Sequence, residues 1–483
     1  MFDLHETSSI KFGTDGWRAI IGDQFTFENV RNIGFGIGRW IQENSSGDGS
    51  VLIGYDTRFL SSEFAEVLAN TFIGMRIPVV MSKDFLPTPA LAWSVSRLGA
   101  TAGVMVTASH NPAIYNGIKV RLSSGSAAQV SDTDLILRLQ EKSLGQGLNQ
   151  YVVNTDSEHL LSREDFIEKY LNHLEKQVDI ELIRSAGLCV LVDSMHGAAA
   201  GLLSTIVDGG KTVVIDHRAE VNPSFPGMRA PEPIAVNLDK AMEMIAGSIG
   251  HKFDCGFAFD GDGDRMGLID ERGQFVSALD TFSLLVHSSL EVRSESGPIV
   301  RSLTMSKLVD KIALSCGQEV YETQVGFKHL APVMIEKNAV LAGEESGGTA
   351  FRGHVCERDG LLAALRILEL IAITNDGPGN LLERLMVQHG NHRYKRTDFP
   401  IDTKKLTNIY QHLINSVPKT LGGKRVIDTD QIDGFRYHLE GGWWVSVRES
   451  GTEPLIRIYA EMDSDSETDS AIAEVARVLG LDH

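Results

Sequence analysis

Short apolar runs alternate with stretches of helical periodicity over most of the chain, which is the pattern of α/β architecture. Val51-Leu52-Ile53 runs into Gly54-Tyr55-Asp56-Thr57-Arg58, and the periodicity predicts a helix from about Ser61 to Met75. Ile77 to Met81 reads as the next strand, Pro87-Thr88-Pro89 opens another helix, and Gly103-Val104-Met105-Val106 reads as a buried strand. That strand enters Thr107-Ala108-Ser109-His110-Asn111-Pro112, where the proline and the polar cluster stop it and start a turn. Ser109 therefore stands at a strand's carboxyl end, where open α/β sheets place their chemistry. Taken alone, such a turn is more often capping and turn chemistry than catalysis. Gly145, Gly147 and Asn149 loosen the chain near residue 150 and close a first domain.

A second unit begins with a predicted helix over about Ser162 to Lys176 and the strand Cys189 to Asp193, and closes with Phe257-Ala258-Phe259 entering Asp260. A third runs from a helix at Ser277 through strands at Ile299-Val300 and Glu319-Val320-Tyr321 to a long helix after Asp359. At Asp56, Asp193 and Asp260 a short apolar strand delivers an aspartate into a glycine-containing loop, which points to a repeated domain architecture. Gly377-Pro378-Gly379 and the polar run Gln388 to Thr397 read as a linker. Beyond it Val426-Ile427, Phe435 to Tyr437, Trp443 to Val447 and Ile456 to Tyr459 are closely spaced strands. With helices at about Lys404 to Ser416 and Ser466 to Leu479, they make a small α+β domain.

At 483 residues the chain exceeds one core and divides into three or four domains. Its apolar share of 42% and charged share of 23% are those of a folded globular protein. The net charge of −19 opposes nucleic acid or an anionic membrane as partner, so anionic substrates need locally gathered cations. Four cysteines, each forty or more positions from the next, suggest neither a zinc site nor a disulfide framework. The first dozen residues carry Asp3, His5 and Glu6 with no apolar segment, and Leu361 to Thr374 is interrupted by Arg366 and Glu369. A cytoplasmic location is expected.

The most specific chemistry lies in Phe257 to Arg265, where Asp260, Asp262 and Asp264 alternate with two glycines that let the backbone fold tightly. Such alternation converges three carboxylates on one cation, and hard oxygen ligands favour Mg²⁺, Mn²⁺ or Ca²⁺ over zinc. A helix-flanked calcium loop is excluded: Glu271 stands at the twelfth position, but Arg265 occupies the sixth, which requires glycine. Mg²⁺ with three protein ligands keeps positions open for a phosphate oxygen. Arg265 is either the carboxylates' ion-pair partner or a contact to a substrate anion.

Gly343-Glu344-Glu345-Ser346-Gly347-Gly348 again follows an apolar run, and its carboxylates and hydroxyl suit a polyhydroxylated ligand. His354 and Arg358, soon after, read as ordinary exposed or capping residues. Arg448-Glu449-Ser450-Gly451-Thr452-Glu453-Pro454 supplies a guanidinium, two hydroxyls and a glycine amide, the parts of a phosphate cradle. Near the amino terminus, Phe12 to Arg18 holds a tight turn around Asp15, with Arg18 either a structural ion pair or an active-site cation. Asn116-Gly117-Ile118-Lys119 returns a lysine toward the Ser109 loop.

Together these stretches resemble the α-D-phosphohexomutase superfamily, which includes phosphoglucomutases and phosphomannomutases. In family order stand Phe-Gly-Thr-Asp-Gly-Trp-Arg at 12–18, Thr-Ala-Ser-His-Asn-Pro at 107–112, Asp-Gly-Asp-Gly-Asp-Arg at 260–265, Gly-Glu-Glu-Ser-Gly at 343–347 and Arg-Glu-Ser-Gly-Thr-Glu-Pro at 448–454. The resemblance implies an α/β fold of four domains around a central cleft, three α/β mixed-sheet domains and a smaller C-terminal α+β domain. Their expected bounds are 1–152, 153–270, 271–385 and 386–483. It implies that Ser109 carries the phosphoryl group and that one Mg²⁺ is held by Asp260, Asp262, Asp264 and a phosphoserine oxygen. Glu344 and Ser346 would grip sugar hydroxyls, and Arg448, Ser450, Gly451 and Thr452 the phosphate that is not reacting. Arg18, His110 and Lys119 match positions at the phosphoserine, with Lys119 favoured for proton transfer. Val325 to Leu330, with Lys328 and His329, resembles a sugar loop of the third domain.

The implied activity interconverts hexose 1-phosphate and hexose 6-phosphate, of glucose or mannose, through a hexose 1,6-bisphosphate that also serves as activator. The expected partners are small sugar phosphates, without nucleic acid or membrane, for a monomer or homodimer. One departure is Gly348, where many members have histidine; His329 and His354 are then alternative acid/base groups. Two rival functions use the same residues: a hexose 1,6-bisphosphate synthase, and a phosphatase with Asp260 as nucleophile.

Overall fold

The computed structural model describes residues 10–13, 15–44, 49–145, 159–247, 252–401, 403–449 and 455–481. The chain forms two compact units, Met1–Ala278 with Ser346–Gly379, and Leu279–Glu345 with Asn380–His483.

The first unit holds a seven-stranded mixed sheet in the order Phe12–Gly13, Gly16–Ile20, Tyr115–Leu122, Ala102–Val106, Val51–Tyr55, Val79–Ser82, Leu161–Glu164. Every residue of Ala102–Val106 is buried, as an unbroken apolar run covered on both faces requires. It runs parallel to Val51–Tyr55 and antiparallel to Tyr115–Leu122, with Met105 opposite Lys119. The neighbouring ladder sets Arg18 opposite Gly117. Since side chains alternate along a strand, Lys119 and Arg121 share one face with Gly117 and hence with Arg18. Helices Phe27–Asn44 and Ser61–Gly74 cover this sheet through Ile33, Ile37, Phe64, Leu68 and Phe72, all buried. Each such side chain contributes roughly 1.5–3 kcal/mol.

The predicted helix over Ser162 to Lys176 begins instead as the strand Leu161–Glu164, parallel to Val79–Ser82, with helix only at Ile167–Leu174. An edge strand with one apolar residue in four shows no alternation to read. The first sheet thus takes its last strand from beyond residue 152.

A five-stranded sheet in the same unit runs Phe275–Val276, Met266–Ile269, Cys255–Phe259, Cys189–Asp193, Val213–His217. Cys255–Phe259 is buried throughout and pairs parallel with Cys189–Asp193, so Asp193 and Asp260 emerge at the same edge. Helix Gly360–Thr374 is buried along Gly360–Ile371, Arg366 and Glu369 included. Asp359 caps its start by accepting from Leu362 N at 2.9 Å, and Glu369 accepts from Asp179 N at 2.7 Å. Among the described residues no helix is long and apolar enough to cross a membrane.

In the second unit Val320–Thr323, Ile299–Ser302 and Leu341–Gly343 are parallel neighbours in that order. A six-stranded antiparallel sheet follows, ordered Arg393–Pro400, Leu455–Met462, Trp444–Glu449, Phe435–Leu439, Lys424–Asp430, Thr420–Leu421. The expected linker is not one. Pro378 opens the helix Pro378–His389, where a missing N–H costs nothing, and Arg393–Pro400 is the edge strand of this sheet. Its Arg-Tyr-Lys-Arg-Thr-Asp sequence is polar because charged side chains blunt a sheet edge.

Candidate active site

Ser109 is 1% exposed and takes φ +52°, the left-handed region a side chain seldom adopts. The surroundings hold it there. Ser109 N donates to Thr107 Oγ1 at 2.8 Å, and Thr107 Oγ1 donates to Asp56 Oδ2 at 2.6 Å. Arg58 donates to the carbonyls of Ser109 (2.5 Å), Asn111 (2.6 Å), Pro112 (3.0 Å) and Tyr115 (3.1 Å), stapling the turn from behind. The Arg58 charge is balanced by buried Asp56 at 3.2 Å.

The aspartate loop closes on this turn. Ser109 Oγ donates to Asp260 Oδ2 at 2.8 Å. Asp260, Asp262 and Asp264 are fully buried and each brings one oxygen within 4.8 Å of the others. Gly261 permits the approach: a Cβ there would lie 2.4 Å from the Ser109 carbonyl oxygen. Burial, then Asp264 and Asp262, push the Asp260 carboxyl well above its usual range. Asp262 also accepts from the Thr88 hydroxyl, and its carbonyl accepts from Thr88 N at 2.8 Å, at the start of helix Thr88–Leu98.

Cations pair with the triad. Lys119 Nζ lies 2.7 Å from Asp262 Oδ2, 2.9 Å from Asp264 Oδ2 and 3.0 Å from Asp15 Oδ2. Burial alone would push its pKa down, but Asp15, Asp262 and Asp264 outweigh it and keep the ammonium charged. Arg358 spans Asp264 Oδ2 at 2.9 Å and Asp15 Oδ2 at 2.5 Å, and Arg121 holds Asp15 Oδ1 at 3.0 Å. Arg265 is farther, 3.8 Å from Asp264 and 3.9 Å from Glu232, while its N–H donates to Asp260 Oδ1 at 3.1 Å. Arg18 donates to Asn111 Oδ1 at 2.8 Å. Burial, then Arg265, Arg18, Lys119 and Arg58, push His110 well below its ordinary range, so the imidazole is neutral.

Asp262 Oδ1 and Asp264 Oδ1 are buried without a hydrogen-bond partner among the described residues. Orphaned carboxylate oxygens are costly unless an ion takes them up. Three hard oxygen donors in one cluster fit Mg²⁺.

In the second unit Glu344 is buried after strand Leu341–Gly343, and Glu345 pairs with Arg396 at 3.0 Å. Lys328 and His329 occupy the first turn of helix Phe327–Lys337, whose N-cap Gly326 has φ +114°. Arg448 Nη2 pairs with Asp433 at 2.9 Å.

Four family descriptions match in succession: "Phosphoglucomutase/phosphomannomutase, alpha/beta/alpha domain I" over 9–144, domain II over 168–273, domain III over 280–389, and the C-terminal domain over 404–478. The chain belongs to the phosphoglucomutase/phosphomannomutase family. A "Phosphoglucomutase/phosphomannomutase" of Thermococcus kodakarensis is 31% identical, over 94% of this chain and 95% of its own. A "Probable phosphoglucosamine mutase" of Methanothermobacter thermautotrophicus is 34% identical, over 93% of each. The crystal structure of a putative phosphomannomutase from Thermus thermophilus superposes with TM-score 0.84 at 28% identity, covering 98% of this chain and 100% of that one. As a phosphohexomutase, the chain is a phosphotransferase of the mutase class with four domains of the expected kinds.

Of the residues singled out in this mutase sequence, the first unit gathers Ser109, His110, Lys119, Arg18, Arg265 and the three aspartates. Glu344, Lys328, His329 and Arg448 belong to the second unit, and Ser346 begins the segment that returns to the first. Ser450, Gly451 and Thr452 lie outside the described residues. His354 is not an exposed residue: its Nε2 lies 2.9 Å from Asp359 Oδ2, its Nδ1 3.0 Å from His173 Nε2, and its ring stacks on His173. Arg358, read as ordinary, is buried against the triad. Asp15, Arg58, Thr88 and Arg121 went unassigned. The signal for Arg58 was available, since it follows one of the three strand-delivered aspartates.

Proposed function

We propose that this phosphohexomutase interconverts hexose 1-phosphates and hexose 6-phosphates, with Ser109 as phosphoryl carrier and a hexose 1,6-bisphosphate as intermediate and activator. Support comes from one observation above all: a buried serine hydroxyl 2.8 Å from one carboxylate of a triad that has two orphaned oxygens. The phosphoryl group on Ser109 Oγ passes to the free sugar hydroxyl; a sugar O–P bond forms, the serine O–P bond breaks, and the proton the sugar hydroxyl gives up ends on Ser109 Oγ. The bisphosphate turns over and returns its other phosphoryl group to Ser109.

Phosphoserine at about −2 and three aspartates at −3 need compensation. Lys119, Arg358 and Arg265 supply it from the protein, and Arg18 stands at the Asn111 side of the turn. With Lys119 paired to three carboxylates, its first role is charge compensation. Asp260, Asp262 and Asp264 would hold Mg²⁺, which when bound supplies electrostatic stabilisation to the transferring phosphoryl group. The strapped Ser109 turn contributes positioning, on which phosphoryl transfer chiefly depends. Lys328, His329, Glu344 and Ser346 are assigned to the sugar, and Arg448, Ser450, Gly451 and Thr452 to the non-reacting phosphate.

The test incubates the protein with glucose 1,6-bisphosphate and Mg²⁺, then assays glucose, mannose, glucosamine and N-acetylglucosamine phosphates, with phosphorus NMR of the products. An acid-stable phosphoserine at Ser109 and turnover of at least one pair from a trace of bisphosphate are expected. Ser109→Ala abolishes both. An alkali-labile acyl phosphate on Asp260, or stoichiometric release of bisphosphate without turnover, would overturn the assignment.

A further inference from the structure

The second unit carries a carboxylate that neither the motifs nor the proposed mechanism uses. Asp433 precedes Gly434, whose φ of +87° and position, with a Cβ point 2.3 Å from the Val447 carbonyl oxygen, admit only glycine. This turn presses Asp433 against a loop and the end of a strand at once. Its Oδ2 accepts from Val325 N at 2.8 Å, directly before the Gly326 N-cap of the helix that carries Lys328 and His329. The same carboxylate holds Arg448 Nη2, at 3.0 Å from Oδ1 and 2.9 Å from Oδ2. A second bond ties the same segments: Gln324 Nε2 donates to the Ile432 carbonyl at 2.6 Å. The acid is only 21% exposed and Arg448 14%, so the pair is largely shielded from water. Asp433 holds the Nη2 end of the guanidinium, Tyr459 is a further side-chain hydrogen-bond partner of Arg448, and Arg448 Nε is buried without a hydrogen-bond partner among the described residues.

A guanidinium whose orientation is fixed by a neighbouring carboxylate meets an anion at low ordering cost. We propose that Asp433 is a positioning residue that fixes Arg448 and the Val325–His329 loop in a single register. The non-reacting phosphate and the sugar are then recognised by one rigid piece rather than by two independent segments. Asp433 touches no reacting atom; its effect falls on binding and on the two orientations the bisphosphate must adopt. This rests on the assignment of Arg448 to phosphate made above.

The decisive measurement is binding in a chain that cannot turn over. In Ser109→Ala, calorimetric titration with glucose 6-phosphate (or whichever sugar phosphate binds) gives a reference Kd. Adding Asp433→Asn, which keeps an acceptor for Val325 N but loses the charge facing Arg448, should weaken binding about tenfold, and Asp433→Ala more. On the Ser109 background the same substitutions should raise KM by a similar factor, with a smaller change in kcat. The slow loss of phosphate from Ser109 to water without sugar should stay unchanged, which a general loss of structure would not allow. Unaltered Kd and KM in folded Asp433→Asn would overturn the proposal. Absence of any mutase turnover in the unaltered chain would instead overturn the functional assignment, and the titration would still report on Asp433.

Discussion

Arg58 spends its donors on four main-chain carbonyls and keeps its charge against Asp56, so its removal leaves a buried anion unpaired. Arg58→Met should destabilise the first unit by about 3–5 kcal/mol, seen as a lower urea midpoint, and should slow Ser109 phosphorylation by bisphosphate. A midpoint equal to the parent's would mean the turn holds its own shape. Gly261→Ala acts differently: the added methyl would stand 2.4 Å from the Ser109 carbonyl, so the Ser109 turn and the carboxylates must separate. A kcat loss of two orders of magnitude or more is expected with little change in KM, since a displacement of about 1 Å costs on the order of 10²-fold. Ser109 and the aspartates were legible because each motif is local in sequence. For Arg58 the sequence shows its place after Asp56 but not its role, because its carbonyl partners lie 51 to 57 positions away. Asp433 shares that fate, its partner Val325 lying 108 positions back.

Strands and helices were legible wherever an element buries a face, as Ala102–Val106 and Cys255–Phe259 do entirely. They failed at sheet margins, where Leu161–Glu164 and Arg393–Pro400 have little to bury. Two side chains clamp the elements of the second unit. Glu461, on strand Leu455–Met462, is fully buried and accepts from Trp444 Nε1 at 2.8 Å, Lys307 N at 2.9 Å, His392 Nδ1 at 3.0 Å and the Ser306 hydroxyl. Glu461→Ala strands these donors and should lower that unit's stability by about 3–5 kcal/mol, measured by thermal unfolding. Glu322 joins Arg436, at 2.6 Å, to Arg301, at 2.9 Å. Although burial would raise its pKa, Arg436, Arg301 and Lys307 hold it down to about 2. A depressed carboxyl stabilises the fold above its unfolded pKa, near 4.3, and loses that contribution as pH falls toward 2. The parent should therefore exceed Glu322→Gln by up to about 3 kcal/mol at pH 7, the gap closing between about pH 5 and pH 2. A gap independent of pH would show that the charge is not what matters.

The whole molecule carries a net charge of −19 yet collects Arg18, Arg58, Lys119, Arg121, Arg265 and Arg358 in the described part of one unit, around carboxylates. That concentration could not be read from composition, since three of the six stand outside any recognised motif. Metal should act at this scale. Mg²⁺ at about 100 times its Kd should add about 2.7 kcal/mol to the first unit, raising its thermal midpoint, and Asp262→Asn should cancel the rise. A midpoint indifferent to Mg²⁺ in the parent chain would remove the ion from the triad.

The buried helix Gly360–Thr374 has a consequence for biosynthesis. Gly360 N donates to the Gly263 carbonyl at 3.2 Å, so the aspartate loop is completed by a segment made long after it. Domains generally fold as units, amino-terminal first, while the ribosome is still working. Here the earlier unit cannot finish until Leu279–Glu345 has been synthesised and the chain has come back through Ser346–Gly379. The nascent polypeptide must carry an unfinished aspartate loop, acidic and uncovered, past the emergence of part of the second unit, which makes this stretch of translation the interval in which a chaperone or a stray cation would find it.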